Sequence, residues 1–99
     1  MNAAKAGRKN LFGEELLRHI ARNNMDERML AGKTGIRFHR IKRILHEPSY
    51  RPNLDTVLDI VDALRLDLVA SMRFARLAGY HDTDKVLDGL LKRIRRESG

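Results

Sequence analysis

Apolar residues recur at intervals of three and four along most of the chain, which is the periodicity of helices with one buried side. The pattern predicts a first helix over residues 11–23, with Asn23 and Asn24 as its stop signal. The apolar side of this predicted helix carries Leu11, Phe12, Leu16, Leu17 and Ile20.

Two short helices separated by a glycine come next. Asp26 is a good N-cap for a second helix over residues 27–34, and Gly35 suits the left-handed conformation that commonly ends a helix. A third helix is predicted over residues 37–45. Because the small residue Ala31 lets two such helices cross closely, the spacing indicates a helix-turn-helix.

Three more helices complete a chain whose predicted fold class is all-α. Asn53 caps a fourth helix, Asp67 caps a fifth that reaches Ala78, and a last helix starts at Asp82 or Thr83 and reaches about residue 96. The inward side of the fourth helix carries Leu54, Val57, Leu58, Val61 and Leu64. Residues 66–69 are ambiguous, and a short strand is the alternative there.

Charge is distributed unevenly along these helices. The 99-residue chain has a formal net charge of +7, which favours a polyanionic partner such as nucleic acid or an anionic membrane surface. Residues 28–46 contain six Lys or Arg and no Asp or Glu, whereas residues 53–67 contain four Asp and a single Arg. The basic residues therefore concentrate around the third helix.

The third helix has two chemically opposite sides. At about 100° per residue, Ile41 shares an inward side with Ile44 and Leu45. The opposite side and the N-terminal tip carry Arg37, His39, Arg40, Lys42, Arg43 and His46. Since an arginine can donate paired hydrogen bonds to O6 and N7 of guanine, this surface predicts binding in the major groove of DNA.

Residues 11–72 carry a set of motifs at characteristic spacing: Leu30-Ala31, Gly35-Ile36, Ile41, Ile44, Pro52-Asn53-Leu54 and the run Leu-Asp-Ile-Val-Asp-Ala-Leu at 58–64. With these motifs the segment resembles the lambda-repressor/Cro-like helix-turn-helix family, also called the xenobiotic-response-element type. The resemblance implies a lambda-repressor-like five-helix domain, here with an additional C-terminal helix, that binds DNA as a dimer. Members of the family serve as phage repressors, bacterial regulators and the DNA-binding halves of antitoxins.

Carried over by position, the residues that match the family's usual base-contacting positions are Arg37, Phe38, His39, Lys42 and Arg43. Three positions depart from the family pattern. Glu27 stands where glutamine is frequent, and its carboxylate would repel a phosphate. Thr34 stands where leucine is common. Phe38 stands where a polar residue is usual, and two contacts suit its ring: a thymine methyl group or the edge of the second helix.

Residues outside the third helix are candidates for phosphate contacts. Lys9 belongs to a basic arm, residues 1–9, that either enters a groove beside the third helix or attracts DNA only diffusely. Tyr50, Arg51 and Asn53 precede the fourth helix, whose N-terminus favours anions. The alternative for these three residues is an ordinary loop with a helix cap.

The C-terminal region adds apolar surface beyond a minimal helix-turn-helix domain. The candidate dimer interface consists of Leu68, Met72, Leu77, Tyr80, Val86, Leu87, Leu90, Leu91 and Ile94. Extensive apolar surface on a small domain favours burial against a second copy, and completion of the monomer's own core is the alternative.

Other chemistries find little support in the sequence. Cysteine is absent and the four histidines lack the close spacing of a metal site, so neither a metal nor another cofactor is expected. Because the chain has no serine elbow, Ser-Lys motif or glycine-rich phosphate loop, an enzyme is not expected. No apolar run approaches the roughly 20 residues of a membrane span, and residues 1–10 lack the apolar core of a secretory signal.

The sequence therefore predicts three regions: a flexible basic arm over residues 1–9, a helix-turn-helix DNA-binding domain over 10–79, and a dimerisation or core-completing element over 80–99. The expected function is that of a cytoplasmic, dimeric transcriptional repressor that binds specific sites in double-stranded DNA. The alternative is an antitoxin-type module that neutralises a partner toxin and autoregulates its operon.

Overall fold

Over residues 10–98, the part that the computed structural model describes, the chain forms helices and no strand. The helices are α1 (Leu11–Arg22), α2 (Glu27–Thr34), α3 (Phe38–His46), α4 (Leu54–Ala63), α5 (Leu68–Leu77) and α6 (Thr83–Ser98). The predicted all-α class is thus confirmed over these residues, and the alternative strand at 66–69 is wrong because Asp67 caps α5 there. None of these helices is long and apolar enough to cross a membrane.

Three of the described helices, α2, α4 and α5, begin at the capping residues that the sequence predicted. The side chains of Asp26, Asn53 and Asp67 each accept a hydrogen bond of 2.8 Å from the backbone N–H three residues further on. Each cap supplies an acceptor to an N–H group that has no partner within its helix, so these side chains fix the first turns of α2, α4 and α5. α3 begins and ends one residue later than predicted.

The chain divides into two compact units between Arg51 and Pro52. In the N-terminal unit, α3 packs against both α1 and α2. The buried apolar side chains of this unit are Phe12, Leu16, Ile20, Leu30, Ile36, Ile41, Ile44 and Leu45. Leu11 and Leu17, which the periodicity assigned to the apolar side of α1, are exposed.

In the C-terminal unit, α4, α5 and α6 pack against one another. The buried apolar side chains of this unit are Val57, Leu58, Ile60, Val61, Leu64, Phe74, Ala75, Ala78 and Val86. A charged contact adds to this core, since the guanidinium of Arg93 on α6 binds the carboxylate of Asp59 and the carbonyl oxygen of Asp55 on α4. The acidic residues of α4 therefore include a structural partner for α6.

The first turn of α1 lies directly against the last turn of α3. The Asn10 side chain caps α1 by accepting from the Gly13 N–H at 2.9 Å, and its amide donates to the carbonyl oxygens of Ile44 and Leu45 at 2.7 and 3.1 Å. A β-carbon on Gly13 would lie 2.6 Å from the Leu45 carbonyl oxygen. This close approach therefore requires glycine at position 13, and Asn10 and Gly13 together form what we call the α1–α3 lock.

Replacing Gly13 by alanine is expected to lower the free energy of unfolding by about 1–3 kcal/mol, because the new methyl group would push α1 away from the backbone of α3. The matched control is Gly32→Ala in α2, where a β-carbon meets nothing within 4 Å. That variant should gain about 0.5–1 kcal/mol from the better helix propensity of alanine. Urea denaturation followed by circular dichroism measures the unfolding free energy of both variants. The same change in unfolding free energy for Gly13→Ala and Gly32→Ala would contradict the α1–α3 lock.

Asn10→Asp separates the two roles of the Asn10 side chain. A carboxylate still caps α1 but has no N–H to donate, so it faces two carbonyl oxygens of α3 and should cost about 1–3 kcal/mol of unfolding free energy. Asn53→Asp is the control, because the Asn53 side chain acts as a cap acceptor for α4. That variant should change stability by less than about 0.5 kcal/mol. Similar losses in the two variants would refute the donor role of Asn10.

Candidate nucleic-acid interface

The connection between α2 and α3 is a tight turn that begins at Gly35, the C-cap of α2. This residue has a φ of 78°, in the left-handed region that glycine reaches without steric cost, and its N–H donates to the Ala31 carbonyl oxygen at 2.9 Å. The Thr34 hydroxyl donates to the Leu30 carbonyl oxygen and accepts from the Ile36 N–H. Thr34 therefore stabilises the turn through both hydrogen bonds of its hydroxyl group.

α3 turns its apolar side inward, as the sequence predicted. Ile41, Ile44 and Leu45 are buried. The residues whose side chains are exposed on or beside the opposite side are Arg37, His39, Lys42, Arg43 and His46. Arg40 is half-buried at the edge of this surface. The chain thus presents four Lys or Arg residues of α3 and its N-cap on a single surface, which we call the cationic face.

Phe38 lies at the start of α3 and is half-buried. The guanidinium carbon of Arg28, on α2, lies 4.4 Å from the centroid of the Phe38 ring, and Lys42 Nζ lies 5.5 Å from it. Of the two contacts that suit the ring, the structure contains the one with α2. Cation–π attraction to the Phe38 ring therefore places Arg28 beside the cationic face. The helical periodicity of the sequence did not predict this position for Arg28.

Tyr50 follows α3 and joins two of its arginines. Its hydroxyl oxygen accepts a hydrogen bond from Arg40 Nε at 3.3 Å, and the guanidinium carbon of Arg43 lies 4.5 Å from the centroid of its ring. Arg43 Nε also donates to Glu47 Oε2 at 3.2 Å. Tyr50 was predicted as a candidate phosphate contact, and Glu47 was not predicted at all. Both side chains orient the arginines of the cationic face.

Glu27, the acidic departure from the family pattern, lies beside a histidine of the cationic face. Its Oε2 atom is 3.6 Å from Nε2 of His46. This contact joins the N-terminus of α2 to the C-terminus of α3. The residue therefore has an internal partner within the N-terminal unit.

The remaining predicted contact residues fall in different places. Arg51 is exposed at the end of the N-terminal unit. Asn53 belongs to the C-terminal unit, where its side chain caps α4. Lys9 and the rest of the arm lie outside the described residues. Tyr50 contacts two arginines of the cationic face.

The predicted dimer surface divides into exposed, half-buried and buried residues. Leu68, Leu91 and Ile94 are exposed, with Leu68 at 55% and Ile94 at 59%. The half-buried members are Met72, Leu77, Tyr80, Leu87 and Leu90. Val86 is only 1% exposed, so it belongs to the core of the C-terminal unit and not to a surface open to a second copy. Val69, which the sequence analysis did not select, is 78% exposed.

The described residues contain no cluster of three His, Asp or Glu side chains placed to hold a metal ion. The N-terminal unit presents a positively charged helix face with several oriented guanidinium groups.

Comparisons of the chain with protein-family models, with curated proteins and with solved structures find no match.

Proposed function

We propose that this chain is a sequence-specific, double-stranded DNA-binding protein that acts as a dimeric transcriptional repressor. The observation that carries the proposal is the cationic face itself. The cationic face lies on a short helix whose opposite side is buried through Ile41, Ile44 and Leu45. This helix follows the turn at Gly35, which ends α2. A helix of this kind fits the major groove, where its exposed side chains meet base edges and the flanking phosphates.

The proposal gives each exposed residue a role suited to its position. Arg37, His39 and Arg43 contact bases, because they lie at the N-terminal tip or on the side opposite the buried isoleucines. The residues that neutralise phosphates are Arg28, Arg40, Lys42 and Arg51. Two copies of the chain would place their α3 helices in successive major grooves, about 34 Å apart.

The exposed apolar residues of the C-terminal unit support a protein partner. Leu68, Val69 and Ile94 expose more than half of their surface, although large apolar side chains favour burial. A second copy of the chain is the partner that a dimeric repressor requires. The same surface also suits an antitoxin, in which it would hold a toxin while the cationic face binds the operon.

Binding should depend strongly on salt, because each neutralised phosphate releases counterions. We expect the affinity for a duplex to fall by orders of magnitude between about 50 and 200 mM salt. In Lys42→Gln the slope of log affinity against log salt should decrease by about 1. Lys85→Gln on the exposed part of α6 removes the same charge and should leave the slope unchanged. Fluorescence anisotropy measures all three, and a wild-type affinity that is independent of salt would contradict the proposal.

Dimerisation should depend on the exposed apolar residues of the C-terminal unit. The double variant Leu68→Gln with Ile94→Gln is expected to sediment as a monomer at concentrations where the wild-type protein is a dimer, because both apolar contacts are lost. Leu11→Gln is the control, since Leu11 is 54% exposed in the N-terminal unit. Equal association of the double variant and the wild-type protein in analytical ultracentrifugation would place the interface elsewhere.

A further inference from the structure

The side chain of Arg43 contacts two residues, Glu47 and Tyr50, to which the proposed function assigns no contact with DNA. The Glu47 carboxylate accepts from Nε at 3.2 Å, and the Tyr50 ring lies 4.5 Å from the guanidinium carbon. Both partners are themselves positioned, because the Glu47 N–H donates to the Arg43 carbonyl oxygen and the Tyr50 N–H donates to the Glu47 carbonyl oxygen. Pro48 suits this turn, since its fixed φ matches the second position of a common β-turn.

These contacts leave a particular part of the guanidinium for an external partner. With Nε occupied by Glu47 and one face of the group against Tyr50, the two terminal nitrogens still carry a pair of parallel N–H groups at the end of the side chain. That edge matches O6 and N7 of guanine, which accept paired hydrogen bonds in the major groove. Arg43 is also half-exposed, at 50%, so the edge is accessible.

The charge of Glu47 distinguishes a base contact from a phosphate contact. A phosphate bound by Arg43 would come close to a carboxylate that lies 3.2 Å from Nε, and the two negative charges would repel. Guanine O6 and N7 carry no net charge, so a base contact avoids most of that repulsion.

We infer that Arg43 recognises a guanine in the major groove and that Glu47 and Tyr50 are positioning residues that hold its guanidinium in the orientation required. The inference rests on the proposed function, because it presupposes that α3 enters DNA. Glu47 acts through Arg43 by fixing Nε. Tyr50 acts through its ring, while its hydroxyl holds Arg40.

Selection of bound duplexes from a random pool, followed by affinity measurements on the enriched site, tests this inference. Replacing one guanine per half-site by adenine should weaken wild-type binding by about tenfold or more, and Arg43→Ala, which removes the donors altogether, should abolish that preference. Glu47→Ala and Tyr50→Leu should reduce the preference at the same position by about threefold or more. Tyr50→Phe keeps the ring and should retain the preference.

Glu47→Ala distinguishes a positioning role of Glu47 from a general contribution to stability, because the two roles predict different affinities for DNA. Its affinity for an unrelated duplex should stay equal or rise, because a negative charge leaves the cationic face, while the guanine preference falls. Glu47 is exposed, so this variant remains informative if Tyr50→Leu fails to fold.

Three results would overturn the inference while leaving the proposed function intact. One is weakening of all duplexes by Arg43→Ala with the guanine preference retained, which would make Arg43 a phosphate contact. Another is an unchanged guanine preference in Glu47→Ala and Tyr50→Leu. A third is a change of preference at a cytosine in Glu47→Ala, which would make Glu47 itself a base contact. If the wild-type protein enriches no duplex, the proposed function fails instead.

Discussion

The carbonyl oxygens in the last turn of a helix have no partner within that helix and must find donors elsewhere. In α3 the Asn10 amide supplies donors to two of them, and Gly13 lets the backbone of α1 come close enough for this to happen. The N-terminus of α1, with its partial positive charge, therefore lies against the partial negative charge of the α3 C-terminus. The lock thus fixes the C-terminal end of α3, the helix that carries the cationic face.

With α3 fixed in this way, its charged side chains can be oriented by their neighbours. Arg28 stacks on Phe38, and Arg40 and Arg43 meet at Tyr50. A flexible arginine loses rotamer entropy when it binds, and a side chain that is already oriented loses less. Internal partners thus restrict these guanidinium groups to fewer orientations than free side chains would have. Two acidic residues of this surface also have internal partners, since Glu47 accepts a hydrogen bond from Arg43 and Glu27 lies beside His46.

Much of the fold follows from local signals in the sequence. The caps at Asp26, Asn53 and Asp67, the left-handed Gly35 and the buried side of α3 all depend on residues close in sequence, and the structure agrees with each of them. These features need only helical periodicity and the chemistry of helix ends to be predicted.

Contacts between residues distant in sequence could not be predicted in the same way. Asn10 and Leu45 are 35 positions apart, and Arg93 and Asp59 are 34 positions apart. Periodicity shows which side of a helix is buried, but it does not show which residues of two helices meet. Glu47 and Tyr50 are nearer to Arg43, but their contacts depend on a turn whose geometry the sequence pattern does not specify. The function of the cationic face does not follow from the fold, because the exposure and charge of a surface do not identify its ligand.

The most direct test of the central claim is a nuclear magnetic resonance titration of the isotopically labelled full chain with a DNA duplex at low salt. If α3 enters the major groove, the amide signals of residues 37–46 and of Tyr50 should change most, and those of the C-terminal unit should change much less. The largest changes within α4 to α6, or no change in any amide signal, would contradict the claim that the cationic face of α3 binds DNA.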